Sequence, residues 1–160
     1  MRIRIISITL FTALMIVFFS CKKKKLNESL YEEASVHHGL AFYMNKDSIL
    51  SAAGSSPHGS FKLKFNSTAT AQFGVDGKFP AGGTFQKGSL IVKEVYAGGA
   101  LTQYAIMKKD DSKFSASGWL WAEYGPDGKT VYSVGEKGKS CTGCHSGTPN
   151  RDLTISFDLH

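Results

Sequence analysis

Phe61-Lys62-Leu63-Lys64-Phe65-Asn66 alternates apolar and polar residues without a break. Phe61, Leu63 and Phe65 fall on one side, and Lys62, Lys64 and Asn66 on the other. Successive side chains of an extended chain point to opposite faces, so this period of two predicts a half-buried β-strand. The two lysines then read first as its solvated face. The segments that follow repeat the theme. Ser89 to Tyr96 is rich in β-branched residues and is bounded by Gly88 and Gly98-Gly99. Leu101 to Lys108 is a third strand, and Gly118 to Tyr124 a fourth. Gly125-Pro126-Asp127-Gly128 is a strong turn signal, and Thr130 to Val134 returns from it. Leu153 to Leu159 alternates again and predicts a closing strand.

The chain before Phe61 is less regular. Leu26, Leu30 and Ala34 recur at a spacing of four and predict a short helix over residues 26–38, with Asn27 as its cap and Gly39 as its stop. Leu40 to Met44 is too short to assign. Residues 51–60 and 74–88 read as loops, and Ser67 to Phe73 as a helical turn or a loop. The expected fold is mainly β (α+β): one antiparallel sheet domain with a short N-terminal helix.

Residues 1–20 read as an export signal, with Arg2 and Arg4 ahead of an apolar run. Ser20-Cys21 closes that run as a lipoprotein signal does, which makes Cys21 the expected lipidation site. An uncleaved single-pass anchor is the alternative. Residues 21–28 then form a lipidated polar tether, and residues 29–160 the folded domain, with enough chain for a core. The formal net charge of +6 falls by two when Arg2 and Arg4 leave. Lys22 to Lys25 carry most of the remainder, next to the anchor, where they favour anionic headgroups. No nucleic-acid motif accompanies the charge. The expected location is the cell envelope or periplasm, on a membrane through the lipid.

Near the C-terminus stands Cys141-Thr142-Gly143-Cys144-His145. A C-x-x-C-H run is the attachment signature of a c-type haem: each thiol can bond one vinyl group, and the imidazole can hold the iron. A structural zinc site needs four ligands, and no second cysteine pair exists. A thioredoxin-type motif needs a βαβ context that this chain lacks. The motif thus predicts one covalent haem c per chain, with Cys141 and Cys144 as attachment sites and His145 as metal ligand.

Six segments in order resemble the cytochrome P-460 family. They are Phe61–Asn66, Phe79-Pro80-Ala81-Gly82, Ile91-Val92-Lys93-Glu94, Met107-Lys108-Lys109, Gly118–Lys129 and Cys141–His145. The resemblance covers about residues 60–159. It implies an antiparallel β fold, a haem held by His145, and a five-coordinate iron open to small ligands. Members include enzymes that oxidise hydroxylamine, in which a lysine is also cross-linked to the macrocycle. The related cytochromes c′-β lack the cross-link and bind nitric oxide or carbon monoxide. Lys62 and Lys64 are the cross-link candidates by position.

Three functions follow. The first is redox chemistry on a small nitrogen compound such as hydroxylamine or nitric oxide, which would make the protein an oxidoreductase. The second is non-enzymatic binding or sensing of diatomic gases. The third is electron transfer, with a sixth ligand drawn from Met44, Met107, His37, His38, His58 or His160. Hydroxylamine oxidation releases protons, so Glu94 and Glu123 are candidate bases, whereas Asp127 belongs to its turn. Expected partners are the small ligand, a redox protein and the membrane. A homodimer is compatible with the sequence.

Overall fold

The computed structural model describes residues 21–36, 39–53, 56–147 and 151–160. The export signal and the histidines at positions 37 and 38 lie outside the described residues. Six strands form one antiparallel sheet whose spatial order is the chain order. They are β1 (Leu40–Phe42), β2 (Ser60–Asn66), β3 (Leu90–Ala97), β4 (Ala100–Lys109), β5 (Trp119–Tyr124) and β6 (Thr130–Tyr132). The tight turn between β3 and β4 uses Gly98 (φ +57°) and Gly99 (φ +82°), a conformation that glycine adopts without penalty.

Helix α1 covers residues 21–35, followed by α2 (Ser67–Thr70), α3 (Thr142–His145) and α4 (Ser156–Leu159). No helix among the described residues is long and apolar enough to cross a membrane.

Both faces of the sheet are covered. On one, Leu90, Val92, Ile106, Leu120 and Tyr124 pack against Leu30 and Ala34 of α1. On the other, Phe61, Leu63, Phe65, Ile91, Met107 and Trp121 join Phe157 of α4. The cover by α1 explains why the expected solvated face is dry. Lys64 is buried, and so is its partner Glu94. Lys64 Nζ donates to Glu94 Oε1 at 2.5 Å, and Tyr96 OH donates to Glu94 Oε2 at 3.1 Å. A buried charge persists when it is paired and hydrogen-bonded in this way.

Four local expectations are corrected. Residues 22–28, read as a tether, are helical. Asn27 is no cap: it is buried within α1, where its Oδ1 accepts from Tyr124 OH and from Val134 N, both at 3.1 Å. Its Nδ2 donates to Ser133 Oγ at 3.0 Å. Its polar ends are satisfied by tertiary partners, so the helix can run through it. The return strand stops at Tyr132, because the Ser133 side chain caps a 3₁₀ turn over Val134–Glu136. Finally, Leu153 to Leu159 is not a strand. Asp152 (φ +52°) and Leu153 (φ +68°) turn the chain, and α4 lays Phe157 on Phe65, with ring centroids 5.6 Å apart. A short apolar run is ambiguous in period, and here the need to cover the sheet decides it.

Candidate haem site

The motif is built by its approach. Gly138 turns the chain with φ +61°, and its carbonyl accepts from Cys141 N and Thr142 N, both at 2.9 Å. This starts the single turn of α3. Cys141 O then accepts from His145 N at 3.1 Å, which places thiols and imidazole on one short coil. The motif thus sits on a single helical turn.

His145 is held from two sides. Its Nδ1 lies 2.8 Å from Leu153 O. A carbonyl can only accept, so Nδ1 carries the proton and Nε2 keeps its lone pair. That is the arrangement by which a ligating histidine is oriented by its other ring nitrogen. The Trp121 indole meets the imidazole edge to face, with centroids 4.9 Å apart. Burial pulls the His145 pKa below its ordinary value, against the opposing effect of the Leu153 hydrogen bond. Burial thus favours the neutral ring, the form that a metal ligand takes.

Behind Leu153 stands a second support. Asp152 accepts two hydrogen bonds from Lys109 Nζ, at 2.8 and 2.7 Å, and one from Phe85 N at 2.8 Å. Both charged side chains are nearly buried, at 12% and 11% exposure. This clamp fixes the two left-handed residues whose carbonyl orients His145.

Cys141, Cys144 and His145 share one cavity of about 500 Å³ with the apolar sheet face. Its floor is made of cross-strand rows. Phe65, Ile91, Met107 and Trp121 stand side by side in one row, and Leu63, Lys93, Ala105 and Glu123 in the next. His58 and His160 stand at its walls. Burial, with Glu123 as the next cause, pushes the Cys141 thiol up to about 11. Burial raises Glu123 above the usual carboxylate range and pushes Lys93 down to about 8. His58 is pushed down to about 4 by burial first, then by the charges of Lys93 and His145.

The residues fit a haem. Two thiols and a free imidazole nitrogen converge on an apolar cavity of the size that takes a cofactor. A scan of protein-family models matches residues 62–156 to the cytochrome P460 model. The chain belongs to the cytochrome P460 family. No curated protein matches it. Membership makes this a c-type haem protein, with haem c as its cofactor.

Among the residues singled out from the sequence, the structure brings Cys141, Cys144, His145, Glu123, His58, His160 and Met107 to one cavity. It puts the others elsewhere. Lys62 and Lys64 point to the opposite face of the sheet, where Lys62 pairs with Asp47 at 2.6 Å. Glu94 lies on that face too, against Lys64. Asp127 stays in its turn, accepting from Lys129 N at 3.0 Å. Met44 is exposed and does not line the cavity. The β2 side chains that reach the cavity of this P460 domain are Phe61, Leu63 and Phe65. Sequence reading missed Lys93, Lys109, Asp152 and Leu153. For Lys93 a signal existed: it is in phase with Ile91 and Val95, on the face opposite Glu94.

Proposed function

We propose that this P460-family chain is an exported monohaem cytochrome whose cavity serves redox chemistry on small nitrogen compounds such as hydroxylamine or nitric oxide. The observation that carries the reading is the shared cavity. One end holds His145 with Nε2 free, and the floor holds ionisable groups that a plain electron carrier does not need. When bound, the haem supplies a Lewis-acidic iron that changes valence by one electron.

The protein's own groups then have separable tasks. Cys141 and Cys144 anchor the macrocycle through thioether bonds, and His145 Nε2 holds its iron. Phe61, Leu63 and Phe65 keep water from the floor. Glu123 is the base for protons released by the substrate. Burial raises its affinity for them, and a group whose pKa approaches the working pH is the better base. His58 Nδ1 stands 3.9 Å from Glu123 Oε1, beside it in the cavity lining. Lys62 and Lys64 point away, which argues against a cross-link from β2.

A gas-binding role without chemistry is the second reading, favoured by the three apolar β2 side chains. Cys21 and the exposed Lys22 to Lys25 support placement at a membrane by a lipid anchor and its anionic headgroups.

The deciding experiment is the absorption spectrum of the ferrous protein with and without carbon monoxide. A shifted Soret band is expected, and an unchanged one defeats both the redox and the gas-binding readings. Glu123→Gln then separates those two: it stops hydroxylamine turnover if the cavity does chemistry, and leaves carbon monoxide affinity alone.

A further inference from the structure

Ion pairing separates the surface lysines by place. Lys62, Lys87 and Lys108 each meet a carboxylate, respectively Asp47, Asp111 and Glu33. Lys22, Lys23, Lys25, Lys129, Lys137 and Lys139 are exposed, and among the described residues no carboxylate pairs with them. These six gather where the start of α1 meets the approach to the haem motif.

The contacts that bring them together are specific. Asn27 ties α1 to the 3₁₀ turn after β6: it donates to Ser133 Oγ at 3.0 Å and accepts from Val134 N at 3.1 Å. One helical turn earlier, Lys23 lies over the same segment, where a Cβ built on Gly135 would fall 2.7 Å from its Cδ. Lys23, Lys24, Gly128, Thr130 and Ser133 line one cleft, so Lys129 stands at its rim. Lys137 and Lys139 follow Gly135 and flank Gly138. With Lys24 the face holds seven cations against four carboxylates, Glu28, Glu32, Asp127 and Glu136, an excess of three. From Cys21 onward the chain carries +6 less the two charges of Arg2 and Arg4, or +4, so most of its net charge is on this face.

We propose that this face is a docking surface for an anionic lipid bilayer, and that it turns the haem motif toward the membrane. The proposal deepens the membrane placement above and rests on it. Lys22 to Lys25 follow the expected lipid site, which brings the bilayer to the start of α1 and favours a lipid surface over an acidic protein. What the fold adds is Lys129, Lys137 and Lys139, which belong to no tether. Attraction to anionic headgroups falls off within a Debye length of about 8 Å, so only lysines that face the bilayer contribute to it. Cys141 stands two residues beyond Lys139, no more than about 7 Å along the chain, and Cys144 is exposed. A bilayer seated on both groups of lysines therefore has the thioether edge of the haem beside its headgroups.

The test uses the haem-loaded chain from residue 21 onward, exported under a cleavable signal and carrying Cys21→Ser so that no lipid is attached. Co-sedimentation is measured with phosphatidylcholine vesicles, with and without phosphatidylglycerol. Binding is expected only to the anionic vesicles, and is lost as salt is raised. Lys139→Glu is expected to weaken it roughly tenfold, and Lys137→Glu likewise. Lys46→Glu is the control: it makes the same charge change at an exposed site past β1, the opposite edge of the sheet from β6, and should leave binding within about twofold. A fluorophore on the lipid headgroup should be quenched by the haem of the bound protein, and less so in Lys139→Glu at equal amounts bound. Equal weakening by Lys46→Glu and Lys139→Glu overturns the proposal, since net charge alone would then be acting. Loss of binding in Lys23→Glu but not in Lys137→Glu or Lys139→Glu also overturns it and leaves the membrane placement standing. No binding to anionic vesicles defeats both. Retention on immobilised polyglutamate, weakened by Lys139→Glu, in a protein that ignores the vesicles assigns the face to an acidic protein instead.

Discussion

Gly138 lies flat against the indole of Trp121. A Cβ built on Gly138 would fall 2.5 Å from Trp121 Cδ1 and 2.8 Å from Nε1. Trp121 in turn meets His145 edge to face. The glycine therefore sets how closely the haem motif can approach β5, and it does so in the left-handed backbone region.

Gly138→Ala should open that contact. Both the clash and the φ of +61° oppose it, so a loss of about 1–3 kcal/mol is expected, with less haem retained per chain. Gly143→Ala is the control: Gly143 lies inside α3, and a Cβ there meets nothing within 4 Å. Thermal unfolding and the ratio of Soret to protein absorbance measure both variants. Equal behaviour of the two would show that the Trp121 contact does not position the motif.

Asp152→Ala should loosen the histidine. It leaves the Lys109 ammonium without its carboxylate and frees the turn that presents Leu153 O. Breaking one side of a nearly buried pair costs about 3–5 kcal/mol. Asp152→Asn keeps a side chain that tolerates positive φ and can still accept, so it should lose less. The midpoint potential separates the roles. A weaker hydrogen bond on Nδ1 makes His145 a poorer donor and raises the potential, whereas a purely structural clamp changes stability alone.

Lys64→Met should be costly and silent at the haem. It strands Glu94 in the core, with an expected loss of about 3–5 kcal/mol. Replacing Lys64 and Glu94 together by apolar residues should recover much of that, as urea unfolding can show. The haem spectrum of either variant should match wild type, because both residues face α1. A changed Soret band in Lys64→Met would return this lysine to the haem side.

Stability should rise between about pH 8 and pH 9. Lys93 has its folded pKa lowered to about 8, against the ordinary lysine value of 10.5. Over that interval the unfolded chain holds more of the proton, so raising pH favours the folded state. Above about pH 10 the raised tyrosines at positions 43, 96, 104 and 124 act in the opposite sense. Comparing urea midpoints of wild type and Lys93→Met across pH isolates the lysine. The variant should be more stable at pH 7 and lack the rise. A parallel pair of profiles would mean that the lysine is not desolvated.

Much of the fold was legible because its signals are local. The alternation of Phe61 to Asn66, the β-branched run after Gly88 and the Gly-Pro-Asp-Gly turn each report on a few adjacent residues. Cys141 to His145 is legible for the same reason, since attachment chemistry depends on spacing along the chain. What was misread depends on distant contacts. Asn27 looks like a cap until Tyr124, Ser133 and Val134 meet it inside the fold. Leu153 to Leu159 looks like a strand until Asp152 and Leu153 turn it over the cavity.

The sequence by itself determined strands β2 to β6, their order in the chain, the haem motif and the family. Only the tertiary structure decided which side of β2 and β3 faces the haem cavity. Alternation says that Lys62 and Lys64 share a face and that Lys93 and Glu94 do not. It does not say which face is which, because a period of two is unchanged when inside and outside are exchanged. That choice was made by α1, which covers the side of Lys64 and Glu94. It left Phe61, Leu63, Lys93 and Glu123 on the side where His145 stands.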